Sequence, residues 1–341
     1  MNYHFASDNT AGACPEVMQA IIEANEGYKS SYGADDLTTR AADLIRDIFE
    51  TDCDVYFVFN GTAANSLALA TLCQSYHSVI AHEHAHIMVD ECGAPEFFSN
   101  GSKILTSPGA HGLLDVNAVE QLIKSRNDMH FPKPRVLSIT QLTEAGTAYN
   151  INKINDLCNI ATTNHLKVHM DGARFANAIA SQNISPKDMT WKAGVDVLCF
   201  GGTKNGMPIG DAVVFFDKKL SEEFAYRCKQ AGQLASKMRF LAAPWVAMLQ
   251  NDVWLKHARN ANACAASLSK QFTQVPGCKL VHPTDGNEVF VDMPAPLAAH
   301  LRDAGWAFYD FIGGGARFVC SWKTTQQDVD AVIQSAKQYH G

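Results

Sequence analysis

A lysine stands among small residues in FGGTKNG (200–206), directly after the apolar run VDVLCF. Lysine is rarely found in a buried turn unless its amine is paired or used, and an amine in such a setting can condense with a carbonyl compound to a Schiff base. Upstream, the apolar run LKVHMD ends on Asp171 in HMDGARFANA, where a carboxylate is costly without a positive partner. A third segment, FNGTAANS (59–66), leaves one apolar run and opens a helical one. There Gly61 permits a tight turn, and Thr62 brings a hydroxyl and its amide to a helix N-terminus, which suits a phosphate. Each feature also has an ordinary reading. Lys204 can be a rim lysine or a phosphate contact, Asp171 a helix cap or a partner for Arg174, and NGT a common strand-to-helix turn. No G-x-x-x-x-G-K-[ST] loop is present.

The elements that would carry these residues alternate. DVYFVF (54–59), SVIAHE, RVLSITQ (135–141), LKVHMD (166–171), VDVLCFGG (195–202) and DAVVFF (211–216) read as strands. TAANSLALATLC (62–73) and INKINDLCNIATTNH (151–165) read as helices between them. That order predicts an α/β fold, a large domain with a mostly parallel sheet covered by helices. Such sheets bind ligands at the carboxyl ends of their strands, where all three segments fall. Long helical patterns follow residue 218, then strands near NEVFVDM (287–293) and ARFVC (316–320), so a smaller C-terminal α+β domain is expected. The division is drawn as 1–240 and 241–341. One cofactor uses an amine, an acid and a phosphate cradle together: pyridoxal 5'-phosphate takes the lysine on its aldehyde, the acid at its ring nitrogen and the cradle at its phosphate.

Composition narrows the class without naming it. With 341 residues, 47% hydrophobic and 18% charged, the chain reads as an ordinary globular protein with a large core. A net charge of −7 argues against a general nucleic-acid or anionic-membrane surface. Ten cysteines are scattered with no C-x-x-C pair, and the N-terminus lacks a signal-peptide pattern, so reduced thiols and a cytoplasmic location are expected.

The chain closely resembles the low-specificity L-threonine aldolases, a family of fold-type I pyridoxal-phosphate enzymes. The resemblance is carried by FASDNTAG, YGADDLTTRAADL, FNGTAANSLALA, HMDGARFANA, FGGTKNG, CKQAGQLASKMRF and ARFVCSW, and runs over nearly the whole chain. It implies Lys204 as the Schiff-base lysine, Asp171 as partner of the ring nitrogen, and Gly61 and Thr62 as phosphate ligands. Arg174 would contact the cofactor's ring oxygen or the substrate carboxylate, with Ser7 and Arg317 holding that carboxylate. Tyr32, Lys229 and Arg239 would reach the phosphate or substrate pocket across a subunit interface; a solvated helix face is the plain alternative for the two cations. The activity implied is cleavage of L-threonine or L-allo-threonine to glycine and an aldehyde, by a homotetramer with active sites at dimer interfaces.

The string AHEHAHIM places His82, His84 and His86 at alternate positions, so on a strand they would line one face. No matching carboxylate or cysteine ligand accompanies them, and no metal is expected. By the resemblance His86 stacks on the cofactor ring and takes part in proton transfer, itself or through a water. Glu91 is either a residue supporting that histidine or an ordinary capping glutamate. One departure stands out. Some members of the family carry a second histidine in a THN segment, and here the segment is SITQLTEAGT. Neither His130 nor His169 can be assigned to that role. Other reactions of the same cofactor, β-elimination or transamination, would use the same three groups; a non-catalytic binding protein would have little need of Lys204.

Overall fold

Seven strands form one sheet whose two faces are covered by helices. In the computed structural model, which describes residues 2–311 and 314–339, the strands are β1 (Asp54–Val58), β2 (His77–His82), β3 (Lys103–Ser107), β4 (Lys133–Thr140), β5 (Lys167–Gly172), β6 (Val197–Gly201) and β7 (Asp211–Phe215). Their order is β1-β7-β6-β5-β4-β2-β3. β7 pairs antiparallel with both β1 and β6, while every other pairing is parallel. The link 202–210 explains that reversal: it is shorter than the dozen or so residues a parallel crossover takes. β2, β6 and β7 are buried along their whole length, as strands covered on both faces must be. β3 is the strand the sequence pattern did not reveal.

On one face Phe49, Phe175, Phe200 and Trp245 form an aromatic core, with Phe200 and Trp245 ring centroids 4.9 Å apart. On the other, Leu67, Leu69, Val79, Val136, Val213 and Phe224 pack together. The helix Gly61–Leu72 lies there, and its many alanines and leucines are buried around most of its circumference. The smaller sheet, β8 (Lys279–Leu280), β9 (Glu288–Asp292), β10 (Tyr309–Asp310) and β11 (Ala316–Val319), is antiparallel in the order β10-β11-β9-β8.

The two units meet along the helix Val253–Phe272. Its Trp254 and Ala258 join the large core, whereas Cys264, Leu268 and Phe272 join the small one. The expected cut at 240/241 falls within the helix Arg239–Leu249, whose Leu241, Trp245 and Met248 pack against the large sheet. The N-terminus crosses back: Phe5 is part of the small core, and its carbonyl accepts from Val319 N at 2.9 Å. Among the described residues no helix is long and apolar enough to cross a membrane.

Close approach at the strand tips accounts for Gly201. A Cβ there would lie 2.5 Å from the Ala173 carbonyl oxygen and 2.7 Å from Ala173 Cα, both backbone atoms that cannot swing aside. Gly201→Ala should therefore push the β6 tip from the turn after β5, at a cost of about 1–3 kcal/mol. Urea unfolding measures it; a midpoint equal to that of the parent would refute the close approach.

Candidate active site

The tips of β5 and β6 stand side by side. Asp171 pairs in register with Cys199, and Gly172 with Phe200, so the turns leaving the two strands open into the same crevice. Asp171 is buried; its Oδ2 accepts from Asn65 Nδ2 at 2.9 Å and its Oδ1 from Ala173 N at 3.1 Å. Lys204 sits in the 3₁₀ turn Thr203–Asn205. The turn is held from three sides. Asp211 Oδ1 accepts from Gly202 N at 2.8 Å, Asn205 Nδ2 donates to the Trp254 carbonyl at 2.9 Å, and Cys14 N donates to the Gly206 carbonyl at 2.8 Å. With its neighbours tied down, Lys204 faces a cleft of about 210 Å3 that Asp171, Gly61, Thr62, His86 and Glu144 also line.

The helix Gly61–Leu72 points its N-terminus into this cleft. Asn60 caps it by accepting from Ala63 N at 2.9 Å. The amides of Gly61 and Thr62, which no preceding turn can satisfy, have no acceptor among the described residues. Positive helix-dipole charge and two open donors make this end of the cleft an anion seat.

Asn65 links the acids. The amide that holds Asp171 also donates to Glu91 Oε1 at 2.8 Å, and the same oxygen lies 2.8 Å from His86 Nδ1. Hydrogen bonding to Glu91 raises the His86 pKa above its ordinary value, and burial raises that of Glu91. The pair therefore retains a proton toward higher pH. β2 ends at His82, because the His82 ring and carbonyl accept from the amides of His84 and Ala85 and close a turn. His86 then opens the short helix His86–Val89, so the three histidines do not line one strand face as the alternation suggested. The three side chains with metal-competent spacing among the described residues are instead Cys14, Glu16 and His257, behind the lysine turn.

The carboxylate-binding candidates lie deeper. Arg174 is buried, with Nε 2.8 Å from Asp8 Oδ2 and Nη1 3.3 Å from Glu288 Oε2. Burial opposes its charge, but Asp8 and Glu288 raise its pKa, and Asp8 in turn is held low against burial by Arg174. Arg317 approaches Glu288 at 3.9 Å and lines a neighbouring cavity of about 290 Å3 with His84, Tyr309 and Phe311. Of the glycine run beside it, Gly313 lies outside the described residues; Gly314 and Gly315 take φ of +99° and +80°, a conformation natural to glycine. Ser7 caps the turn Asp8–Thr10 through Asn9 N at 3.1 Å. Tyr32, Lys229 and Arg239 lie elsewhere: Lys229 Nζ stands 4.8 Å from the Tyr32 ring centroid, and Arg239 Nη1 donates to the Gly27 carbonyl at 3.3 Å. None of the three lines the cleft.

Sequence reasoning passed over Asn65, Asp211 and Glu144, all cleft residues. Asn65 had a visible signal, an amide inside an otherwise apolar helix. Asp211 had a weaker one, an acid opening an apolar strand. His169 resolves as a core histidine bonded to Ser138 and Cys199, its pKa lowered by burial to about 4.

A family profile described as beta-eliminating lyase matches residues 4–296. A low specificity L-threonine aldolase of Pseudomonas sp. is 56% identical over 95% of this chain and 94% of its own length. One of Pseudomonas aeruginosa is 55% identical over 98% and 96%. The solved threonine aldolase of Leishmania major superposes with a TM-score of 0.93 at 26% identity, covering 99% of both chains. The chain belongs to the beta-eliminating lyase family and, within it, to the low-specificity L-threonine aldolases.

Glu288 yields a test of the buried cluster. Burial pushes its carboxyl from 4.5 up to about 7 despite Arg174 and Arg317. Between those values the folded chain binds the extra proton, so this group's stabilisation is full below about pH 4.5 and is lost as pH rises through 7. Glu288→Gln cannot titrate. Melting midpoints followed from pH 4.5 to 7 should fall for the parent relative to the variant; parallel curves would remove Glu288 as the titrating group.

Proposed function

We propose that this chain is a pyridoxal-phosphate-dependent carbon–carbon lyase that cleaves L-threonine, L-allo-threonine and related β-hydroxy-α-amino acids to glycine and an aldehyde. The observation that carries this reading is the convergence of Lys204, Asp171 and the open amides of Gly61 and Thr62 on one cleft. The donor set fits the cofactor group by group: an amine for its aldehyde, a carboxylate for its ring nitrogen, a helix N-terminus for its phosphate. Gly61 supports the fit, since a Cβ there would stand 3.2 Å from Asp211 Oδ2 and crowd the cradle.

When bound, pyridoxal phosphate supplies an aldehyde that takes up the substrate amine and a protonated ring that withdraws the electron pair released at Cα. The chain's residues do the rest. Asp171, oriented by Asn65, holds the proton at the ring nitrogen. Lys204 would hold the cofactor through its amine. His86, steadied by Glu91, forms the wall against the ring. Ser7, Arg174 and Arg317 take the substrate carboxylate, which orients the Cα–Cβ bond for cleavage. Among the described residues Arg317 has one acidic neighbour, Glu288 at 3.9 Å, and the Tyr309 and Phe311 rings 6.0 Å away, which leaves its fork open to that contact. For Arg174 the contact requires Glu288 to yield, and an acid that keeps its proton near neutrality grips an arginine weakly.

The cleft's own charges are the acids Glu91, Glu144, Asp171 and Asp211 against Lys204 and His86. A phosphate there needs further cations. In our reading Lys229 and Arg239, with Tyr32, supply them from a second copy across a dimer interface, and two dimers form a homotetramer. Exposed Met18, Ile22 and Tyr28, and a groove of about 720 Å3 between the helices Pro15–Ala24 and Arg239–Leu249, support self-association. All ten cysteines are unpaired and nine are buried, which accords with a reducing compartment, and we place the protein in the cytoplasm.

Two measurements test these readings. The purified protein should be yellow and release aldehyde and glycine from β-hydroxy-α-amino acids, while Lys204→Ala should lose turnover and the borohydride-fixed cofactor without losing its fold. Keto acid with free ammonia from the same substrates would favour β-elimination instead, and keto acid formed only when a second keto acid takes up the amino group would favour transamination. Light scattering of the active protein should give a mass four times that of the chain; a monomer with full activity would end the shared-site reading.

A further inference from the structure

The cleft contains acids that are spoken for and one that is not. Asp171 holds Asn65 and the Ala173 amide. Glu91 holds His86 and Asn65, and Asp211 holds the amides of Gly202 and Thr203. Asp90 sits 3.7 Å from His86 Nε2 and is largely exposed. Glu144 has no hydrogen bond and no ion pair among the described residues. His86, the base suggested by the family resemblance, already has Nδ1 engaged by Glu91 Oε1 at 2.8 Å and Asp90 3.7 Å from Nε2.

Position singles out Glu144 as well. Among the described residues it is the one that lines both the 210 Å3 cleft with Lys204 and the 290 Å3 cavity with Tyr309, Phe311 and Arg317. Its backbone is rigidly set. Thr143 N donates to the Thr147 carbonyl at 2.9 Å, the two threonine hydroxyls meet at 2.7 Å, and Thr147 Oγ1 donates to the His111 carbonyl at 2.6 Å. Gly146 takes φ +73° so that the turn can lie against Glu288, where a Cβ would come within 3.0 Å of Glu288 Cβ. Within 141–147 every residue is buried except Glu144, which is half-buried. A clamped turn therefore presents one carboxylate, without a partner among the described residues, to the wall that the two cavities share.

We infer that Glu144 is the catalytic base that accepts the β-hydroxyl proton, with the substrate's Cα in the lysine cleft and its β-substituent in the adjoining cavity. This rests on the lyase reading above. The proton passes from the β-hydroxyl to a Glu144 carboxylate oxygen, and the O–H pair becomes the second bond of the aldehyde C=O. The Cα–Cβ bond breaks with its pair left on Cα. Cα then takes up one proton and Glu144 returns one to solvent, so substrate equals glycine plus aldehyde with no other reactant. The segment SITQLTEAGT, which lacks the second histidine of some relatives, thus carries an acid suited to the same task.

The test separates hydroxyl chemistry from Cα chemistry. Glycine has no hydroxyl, so exchange of its Cα proton with solvent does not call on this base. Glu144→Gln, isosteric and without a basic oxygen, should lower kcat for aldehyde release about 100-fold or more. Glycine exchange, followed by NMR in deuterium oxide, should stay within about threefold of the parent. Glu144→Asp withdraws the acid by one methylene and should fall between the two, carrying the test if the Gln variant melts early. Aldehyde release within about fivefold of the parent, or equal loss of release and exchange in protein with the parent's melting midpoint, would overturn the assignment. A parent protein that exchanges glycine but releases aldehyde from no β-hydroxy-α-amino acid would instead overturn the lyase reading.

Discussion

Everything at the site depends on the register between β5 and β6. Pairing Asp171 with Cys199 and Gly172 with Phe200 brings two strand ends level, and the lysine turn extends from one end while the acid closes the other. The level is enforced sterically. Gly201 allows the β6 tip to touch the Ala173 backbone, and Gly172 does the same in return, since a Cβ there would lie 2.8 Å from the Cys199 carbonyl. A one-residue slip would turn Asp171 to the opposite face. The reversed strand β7 serves the same end, because it begins at Asp211, whose carboxylate receives the first amides of the lysine turn.

Around that frame the charges are arranged in two tiers. The cleft itself is acidic, and its acids are sorted by what they hold: Asp171 and Glu91 bridged by Asn65, a backbone-holding Asp211, and Glu144 with no partner among the described residues. Beneath it, Arg174, Asp8, Glu288 and Arg317 form a cluster drawn from the N-terminal segment, β5's outgoing turn and the small sheet. Burying an ion pair stabilises little by itself, while breaking one leaves an uncompensated charge at a cost of several kcal/mol. The cluster therefore acts as a register lock between the two units.

Much of this was legible in the sequence because it is local. Apolar runs, the strand-to-helix turn at Gly61 and Thr62 and the strand-ending Asp171 are each written within a few consecutive residues, and so were their elements and the α/β class. The same local logic located Lys204, Gly61 and Thr62 at strand and helix ends without recourse to any long-range contact. It also made the histidine string look like a strand, since alternation alone does not reveal that the His82 ring turns back to cap its own chain.

What only the tertiary structure decided involves residues far apart in the chain. The sharing of Asn65 between Asp171 and Glu91, the meeting of Arg174 with Asp8 and Glu288, and the gathering of Tyr32 with Lys229 all require segments that no periodicity brings together. The reversal of β7 and the return of Phe5 to the small core belong to the same class. Sequence pattern sets which face of an element is apolar and where it ends, because those depend on backbone geometry and solvent. Partner choice among buried polar groups depends on the packing of whole elements, and in a desolvated interior that packing determines which acid is paired and which is left open.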